Sequence, residues 1–432
     1  MFSGPGYLRL LPRRSVIDHH SYDSVVEMVH KGIKIIQKTT NLDTYFPLIL
    51  SLLYNAYTEK RLSRWLREHG NYGFQNLYAD SGGLQVVTLG RKINEGVRHR
   101  VYKAQSISDY AMCFDVIPCV KSNPSCGLTD SIRSRVSPNL YVPNKAKDCA
   151  IITADYIIEQ IEYLTNMGSA AKIFYIIQGN SINEMVEWFR EGTKRLKEWH
   201  WDHIGGLAMA GTCMGPGLLE SIETIVAYHK IHEEFGDFYT KNHIHLLGFG
   251  CLERLLPVLY LTNSGMLNSS VYISTDSTTI ARGYIMGSLM GPEGVSIKKK
   301  PFESKKIIRS LIDFLFPLYQ EYYPNKDKET IINAVFQDYL KPSKEVLEHE
   351  DEELSPIISA SKTLTTAGTI LSLSRKLREI QREIKNDVSP IGHLQNVSDF
   401  NQYKEWRKLF SHKVSSKKFP RMDSSSLDAF FS

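Results

Sequence analysis

Across its 432 residues the sequence has no Cys-x-x-Cys pair. Its six cysteines (Cys113, Cys119, Cys126, Cys149, Cys213 and Cys251) are scattered, and none follows Cys251. That pattern excludes a compact zinc knuckle, argues against a disulfide scaffold and fits a reducing cytoplasm. Long apolar runs are missing as well. The N-terminal "MFSGPGYLRLLPRRS" lacks the uninterrupted apolar core of a signal peptide. The longest run, around "YFPLILSLLYNAY" from Tyr45, falls short of the roughly 20 residues that span a bilayer. Glu59, Lys60 and Arg61 follow it closely. A cytoplasmic protein with no membrane partner is therefore expected. Neither sign of charge dominates: the formal net charge of +5 permits nucleic-acid binding without demanding it. The 42% hydrophobic and 23% charged contents are ordinary for a globular chain. The length allows one large domain with additions or two to three average ones.

What is present is a repeated grammar between about residues 70 and 290. Apolar, β-branched or aromatic runs of strand length stop at polar or glycine-rich turns, and amphipathic stretches follow. The strand candidates are "QNLYA", "AMCFDV", "KIFYIIQ", "HIGGLAM", "HIHLLGF" and "VYIST", with an earlier one near Gly32–Gln37. Helix candidates between them include "AIITADYIIEQIEYLTNMG", "SINEMVEWFREGTKRLKEW", "LLESIETIVAYHKIHEEFG" and "LERLLPVLYL". Ser181 with Glu184 three residues later has the pattern of a capping box. Strands alternating with helices imply parallel β with crossover helices. The number of units favours a (β/α)8 TIM barrel, an α/β fold, over an open sheet.

In such a barrel the chemistry sits where strands end. Asp80, Asp115, Gln178, Gly205–Gly206, Gly248–Gly250 and Asp276 all fall at such ends. The barrel is expected over residues 1–320. A helical C-terminal extension over 321–432 would carry the acidic linker "EHEDEE" and a basic, flexible tail. Before it, "GPEGVSIKKKPFESKK" reads as a loop with a basic cluster.

Two acids carry the chemical argument. Asp80 precedes Ser81, Gly82 and Gly83, and Asp276 sits in "YISTDSTTIAR". A carboxylate at a barrel mouth can attack a sugar carbon to form a glycosyl intermediate, while a second one shuttles the leaving group's proton. Gly82 and Gly83, lacking Cβ atoms, would let a flat ring approach the backbone. Each residue also has a plainer reading. Asp-Ser-Gly-Gly is good turn chemistry, Asp276 could cap a helix, and Asp115 could be a buried structural acid.

Taken in order, these segments resemble the tRNA-guanine transglycosylases. "DSGGLQVVTLG" is similar to that family's "DSGGFQ…SLG", and the likeness continues through "KINEGV". "AMCFDVIP" resembles its guanine-reading segment, "YIIQGN" its "IVQGG", "HIGGLAMAG" its "GGLxVG" and "HLLGFG" its "LMGVG". "TDSTTIAR" falls where the nucleophile belongs. The resemblance implies a (β/α)8 barrel that exchanges guanine for a 7-deazaguanine base. Asp276 would be the nucleophile on C1′, and Asp80 would handle the proton on the departing and incoming bases. Asp115, Gln178 and the backbone of Gly206 and Leu207 would read the base edge, with Ser81 and Gly82 beside them.

The sequence also departs from that family. The tRNA enzymes carry a Cys-x-Cys-x-x-Cys…His zinc site after the nucleophile, whereas here only His349, His393 and His412 stand in that region without cysteines. No cofactor or metal is expected. The loss points away from tRNA, towards a related branch, found in phages and bacterial genomic islands, that places 7-deazaguanines in DNA. Expected partners are DNA, with tRNA as the alternative, a free 7-deazaguanine base and a helper protein that opens the duplex. Arg282, six residues after Asp276, and Lys298, Lys299 and Lys300 are candidate phosphate contacts, although the lysines read equally as solvated surface. The rival from another class is a non-catalytic nucleic-acid-binding subunit, for which a nucleophile has no use.

Overall fold

The computed structural model describes residues 7–8, 51–57, 76–83, 93–118, 143, 145–179, 181–210, 218–249, 271–276, 288–290, 296–298, 313 and 327–329. The chain divides into two compact units, Met1–Arg378 and Glu379–Ser432, and everything described belongs to the first. The expected strand near Gly32–Gln37, the helix "LERLLPVLYL", the 320/321 boundary and, apart from residues 327–329, the C-terminal extension lie outside the described residues.

The core is a parallel sheet whose strands follow one another in chain order. A two-residue β1 (Tyr7–Leu8) lies at its edge, and seven longer strands follow: β2 (Ser51–Asn55), β3 (Asn76–Asp80), β4 (Tyr110–Met112), β5 (Lys172–Ile177), β6 (Ile204–Met209), β7 (His243–Leu246) and β8 (Tyr272–Thr275). Each adjacent pair is parallel. Helices α1 (Glu95–Gln105), α2 (Ala146–Asn166), α3 (Ile182–Thr193), α4 (Leu218–Phe235) and the short α5 (Asp237–Thr240) interleave with the strands. This is the α/β alternation expected. Among the described residues no pairing joins β8 to β1.

The sheet is curled. The Tyr78 ring on β3 stacks on the His245 ring on β7, with centroids 6.0 Å apart. In a flat sheet four strand steps of about 4.8 Å would separate them by roughly 19 Å. Side chains alternate across the strands. Tyr78, Phe174, His243 and His245 meet on the concave face. The convex face meets the helices: the Tyr54 hydroxyl donates to Ala104 C=O at 2.7 Å, beside α1. Burial there follows apolar spacing, as in α3, where Met185, Val186, Trp188 and Phe189 face inward. Among the described residues no helix is long and apolar enough to cross a membrane.

Three local readings change. The run from Tyr45, taken only as apolar, contains β2, buried at Leu53 and Tyr54. The stretch from Ser181 to Trp199 is not one helix. Its Ser181 cap forms, the hydroxyl accepting Glu184 N–H at 3.2 Å, but α3 stops at Thr193 and a 3-10 turn covers Glu198–Asp202. Finally, the "GPEGVSIKKK" loop contains a strand. β9 (Ser288–Met290) and β10 (Ser296–Lys298) form an antiparallel pair.

Candidate active site

The polar residues flagged in sequence converge at the C-terminal ends of the strands. Asn55 and Asp80 are register partners at the ends of β2 and β3. Tyr57 N–H donates to Asn55 Oδ1 at 3.1 Å, which turns the Asn55 amide so that Nδ2 donates to Asp80 Oδ2 at 3.0 Å. Sequence reading passed over Asn55. The signal was present, a polar residue closing the strand-like "SLLYN", but it was absorbed into an apolar run.

Beyond β3 the chain turns sharply. Ser81 is buried, and its hydroxyl accepts Gly83 N–H at 3.3 Å. Gly82 has φ of +72°, and a Cβ there would come within 2.6 Å of Tyr57 Cβ and 2.8 Å of Asn55 Oδ1. The space over Gly82 is therefore filled by the chain itself, not left open for a ring. The backbone of Gly83 lies against Asp115, whose Oδ1 is 3.0 Å from where a Cβ would stand.

Asp115 follows β4 on a segment that stays extended beside β5. Cys113 N–H donates to Phe174 C=O at 3.0 Å, and Val116 N–H to Thr153 Oγ1 of α2 at 3.0 Å. The Asp115 side chain is buried, and Gln178 Nε2 donates to its Oδ2 at 2.6 Å. Burial pushes the Asp115 carboxyl up to about 6; the Gln178 hydrogen bond opposes that rise, and the nearby Asp80 charge adds to it. Two carboxylates thus share one end of the sheet. They are distinguished by burial, since Asp80 is only half-buried.

Asp276, one residue past β8, accepts Gly248 N–H on Oδ1 at 2.6 Å. Gly248 has φ of +76°, and its turn is pinned by Thr275 Oγ1 donating to Phe249 C=O at 2.5 Å. His245 Nε2 approaches the same Asp276 oxygen at 3.7 Å. Burial pushes the His245 imidazole down to about 3, so the ring beside the carboxylate is neutral.

Gly206 and Leu207 are not brought to this end. Gly206 pairs with Phe174 inside β6, and a Cβ on it would stand 2.5 Å from His243 C=O and 2.7 Å from Phe174 Cε1. Leu207 is fully buried, with ladder partners Tyr175 and Ile244. The strand runs on to Met209, so Met209 and Ala210, not the glycine pair, mark its C-terminal end. The resemblance of "HIGGLAMAG" to "GGLxVG" matches letters whose depth in the strand differs from that expectation.

Arg282, Lys299 and Lys300 lie outside the described residues, and Lys298 is the last residue of β10. Among the described residues no group of three or more His, Cys, Asp or Glu could hold a metal ion. The sequence after Asp276 has no cysteine, which does not fit a thiolate-held zinc. Compared with family models and with curated proteins, the chain matches none.

Proposed function

We propose that this protein is a base-exchange enzyme, replacing guanine in DNA with a 7-deazaguanine through a glycosyl ester on Asp276. The observation that carries the reading is the gathering of Asp80, Asp115 and Asp276, with Gln178, at the ends of β3, β4, β5 and β8 of one curled sheet. In this reading the sheet closes between β8 and β1 as a (β/α)8 barrel, and a helical C-terminal extension follows. Arg282 and Lys298–Lys300 would contact the phosphates of the polymer.

Oδ2 of Asp276 attacks C1′ while Gly248 N–H holds Oδ1. As the C1′–O bond forms, the C1′–N9 bond breaks, and Asp80 passes a proton to the departing guanine. Asp80 then takes the N9 proton of the incoming base, whose nitrogen displaces Asp276 and restores its carboxylate. One glycosidic bond replaces another, so the exchange needs no redox cofactor or nucleotide energy. Asp115 and Gln178 offer an acceptor and an amide to a purine edge. A base lacking the matching groups would leave them buried and unpaired. The target nucleotide has to leave its stack to arrive there.

The test offers purified protein a labelled 7-cyano-7-deazaguanine with duplex DNA, single-stranded DNA or tRNA, followed by mass spectrometry of the nucleosides. Modified deoxynucleoside supports the proposal, and modified ribonucleoside alone moves the activity to tRNA. Asp276→Asn is the control, and undiminished exchange by it removes Asp276 as nucleophile.

A further inference from the structure

Beneath Asp276, on the concave face of the sheet, lies a chain of polar side chains that the exchange chemistry does not itself require. His243 and His245 alternate with Ile244 on β7 and so share the inner face, and their register partners on β8 are Tyr272 and Ser274. All three polar members are buried: His243 at 6%, Ser274 at 1% and His245 at 0% exposure. Ser274 Oγ stands 3.2 Å from His243 Nε2 and 2.9 Å from His245 Nδ1. His245 Nε2 then faces Asp276 Oδ1 across 3.7 Å.

Hydrogen-bond logic selects one arrangement of protons. The Ser274 hydroxyl has one hydrogen to give, and its candidates are His245 Nδ1 at 2.9 Å, His243 Nε2 at 3.2 Å and Ile244 C=O at 3.5 Å. Giving it to His243 or to Ile244 would make Nδ1 of His245 the protonated nitrogen. Nε2 would then aim a lone pair at the Asp276 carboxylate, a repulsive contact in a buried site. Giving it to His245 Nδ1 places the ring hydrogen on Nε2, pointing at Asp276, and lets His243 Nε2–H donate to Ser274 Oγ. Both rings are held neutral by burial, so neither supplies a charge. The rings cannot swing to another arrangement. Tyr78 stacks on His245, and Phe174 and Tyr272 stand edge-on to His243 at 4.5 and 4.4 Å.

We propose that His243, Ser274 and His245 form a relay that fixes the Nε2–H tautomer of His245 and makes it a positioning residue for Asp276. The inference rests on the reading of Asp276 as nucleophile. Two N–H groups, from Gly248 and His245, are then directed at Oδ1, and the 3.7 Å approach tightens as the site loads, as such contacts commonly do. In the glycosyl ester Oδ1 is the carbonyl oxygen. When the incoming base nitrogen bonds to C1′ and the Oδ2–C1′ bond breaks, the electron pair returns to the carboxylate and Oδ1 shares the charge. A fixed N–H at that oxygen speeds release of the ester more than its formation, because the charge grows during release.

Three variants test this: His245→Leu, His245→Gln, whose amide can still offer an N–H, and the milder Ser274→Ala. His245→Leu is expected to lower the exchange rate about 10- to 100-fold, with KM for the free base unchanged, and to accumulate the protein–DNA ester on a denaturing gel. His245→Gln is expected to recover to within about fivefold of the parent. Equal losses in the Leu and Gln variants that track thermal stability, with no added ester, would make His245 a packing residue and overturn the inference. Nitrogen-15 NMR of histidine-labelled protein reads the tautomer with no substrate at all. A neutral Nε2–H ring at His245 is expected, with Nδ1–H appearing in Ser274→Ala; a parent ring protonated on Nδ1 overturns the relay whichever polymer is modified. Exchange that survives in Asp276→Asn would sink the nucleophile reading and leave the tautomer result standing, so the two failures are told apart.

Discussion

Tyr78 on β3 and His245 on β7 stack with ring centroids 6.0 Å apart, although three strands lie between them. The contact is a direct measure of how tightly the sheet curls, and it ties the wall bearing Asp80 to the wall bearing Asp276. Tyr78 is fully buried and also stacks on Tyr110 at 4.7 Å. Tyr78→Ala removes the ring from the centre of this cluster. It is expected to cost about 3–5 kcal/mol, the range for deleting a large aromatic from a packed core. Urea unfolding of the two proteins checks it, and a loss below about 1 kcal/mol would mean that the interior collapses to refill the space.

Much of this architecture is legible in the sequence because parallel strands with both faces covered read as short apolar runs between turns. "KIFYIIQ" and "HIHLLGF" contain β5 and β7. What escaped did so for physical reasons. β2 is one strand within a longer apolar run, and periodicity cannot mark its ends there. α1 is capped by Asn94, whose side chain accepts Val97 N–H, but its charged sequence "EGVRHRVYKAQ" gives a weak amphipathic signal. The site was legible wherever an acid ended a strand. Asn55 and His245 were not, because their roles come from neighbouring strands in register, which the linear order hides. Gly82 was legible as a special glycine, but which atoms crowd it was not.

Asn55 fixes one oxygen of Asp80 by a 3.0 Å hydrogen bond. Asn55→Ala withdraws that donor and lets the carboxylate leave the orientation needed for proton transfer. Exchange is expected to fall about 10- to 100-fold, within the range that a positioned acid or base contributes. Asn55→Asp should be worse, since it sets a second carboxylate beside Asp80. Single-turnover kinetics on each variant decide it. A larger loss in the alanine variant than in the aspartate variant would show that Asn55 fills space and does not steer Asp80.

Gly192, on α3, is held by packing against β5. A Cβ there would collide with the hydroxyl of Tyr175, which is fully buried, while Ala150 C=O lies 3.5 Å away. Alanine ordinarily stabilises a helix interior by about 1 kcal/mol over glycine. Here the clash reverses the sign, and Gly192→Ala is expected to cost about 1–3 kcal/mol. The Tyr175 hydroxyl makes no hydrogen bond among the described residues, so Tyr175→Phe removes the worst of the clash at little expense, leaving the ring Cζ at 2.8 Å to shift slightly. The double variant should regain most of the lost stability in thermal unfolding. If it melts no higher than Gly192→Ala alone, the strain lies elsewhere.

Asp115 makes the fold and the proposed chemistry pull against each other. Its carboxyl is raised to about 6, first by burial, against an ordinary value near 4. Below pH about 4 the group carries its proton in both folded and unfolded chains. Between about 4 and 6 the unfolded chain has released the proton and the folded one has not, so each rise in pH there costs stability. Above about 6 the full penalty stands, of order 3 kcal/mol for a shift of two pH units. Asp115→Asn removes the ionisation, so its stability relative to the parent should climb from pH 4 to pH 6 and then level off. Base reading follows the opposite trend. Only the carboxylate accepts N–H groups from a purine edge through both oxygens, so affinity for the free base should rise through pH 6 in the parent. Chemical denaturation and equilibrium binding over the same buffers test both. A flat stability difference would show that Asp115 ionises as an ordinary carboxylate, and flat binding beside a sloping stability curve would remove it from the base-reading role.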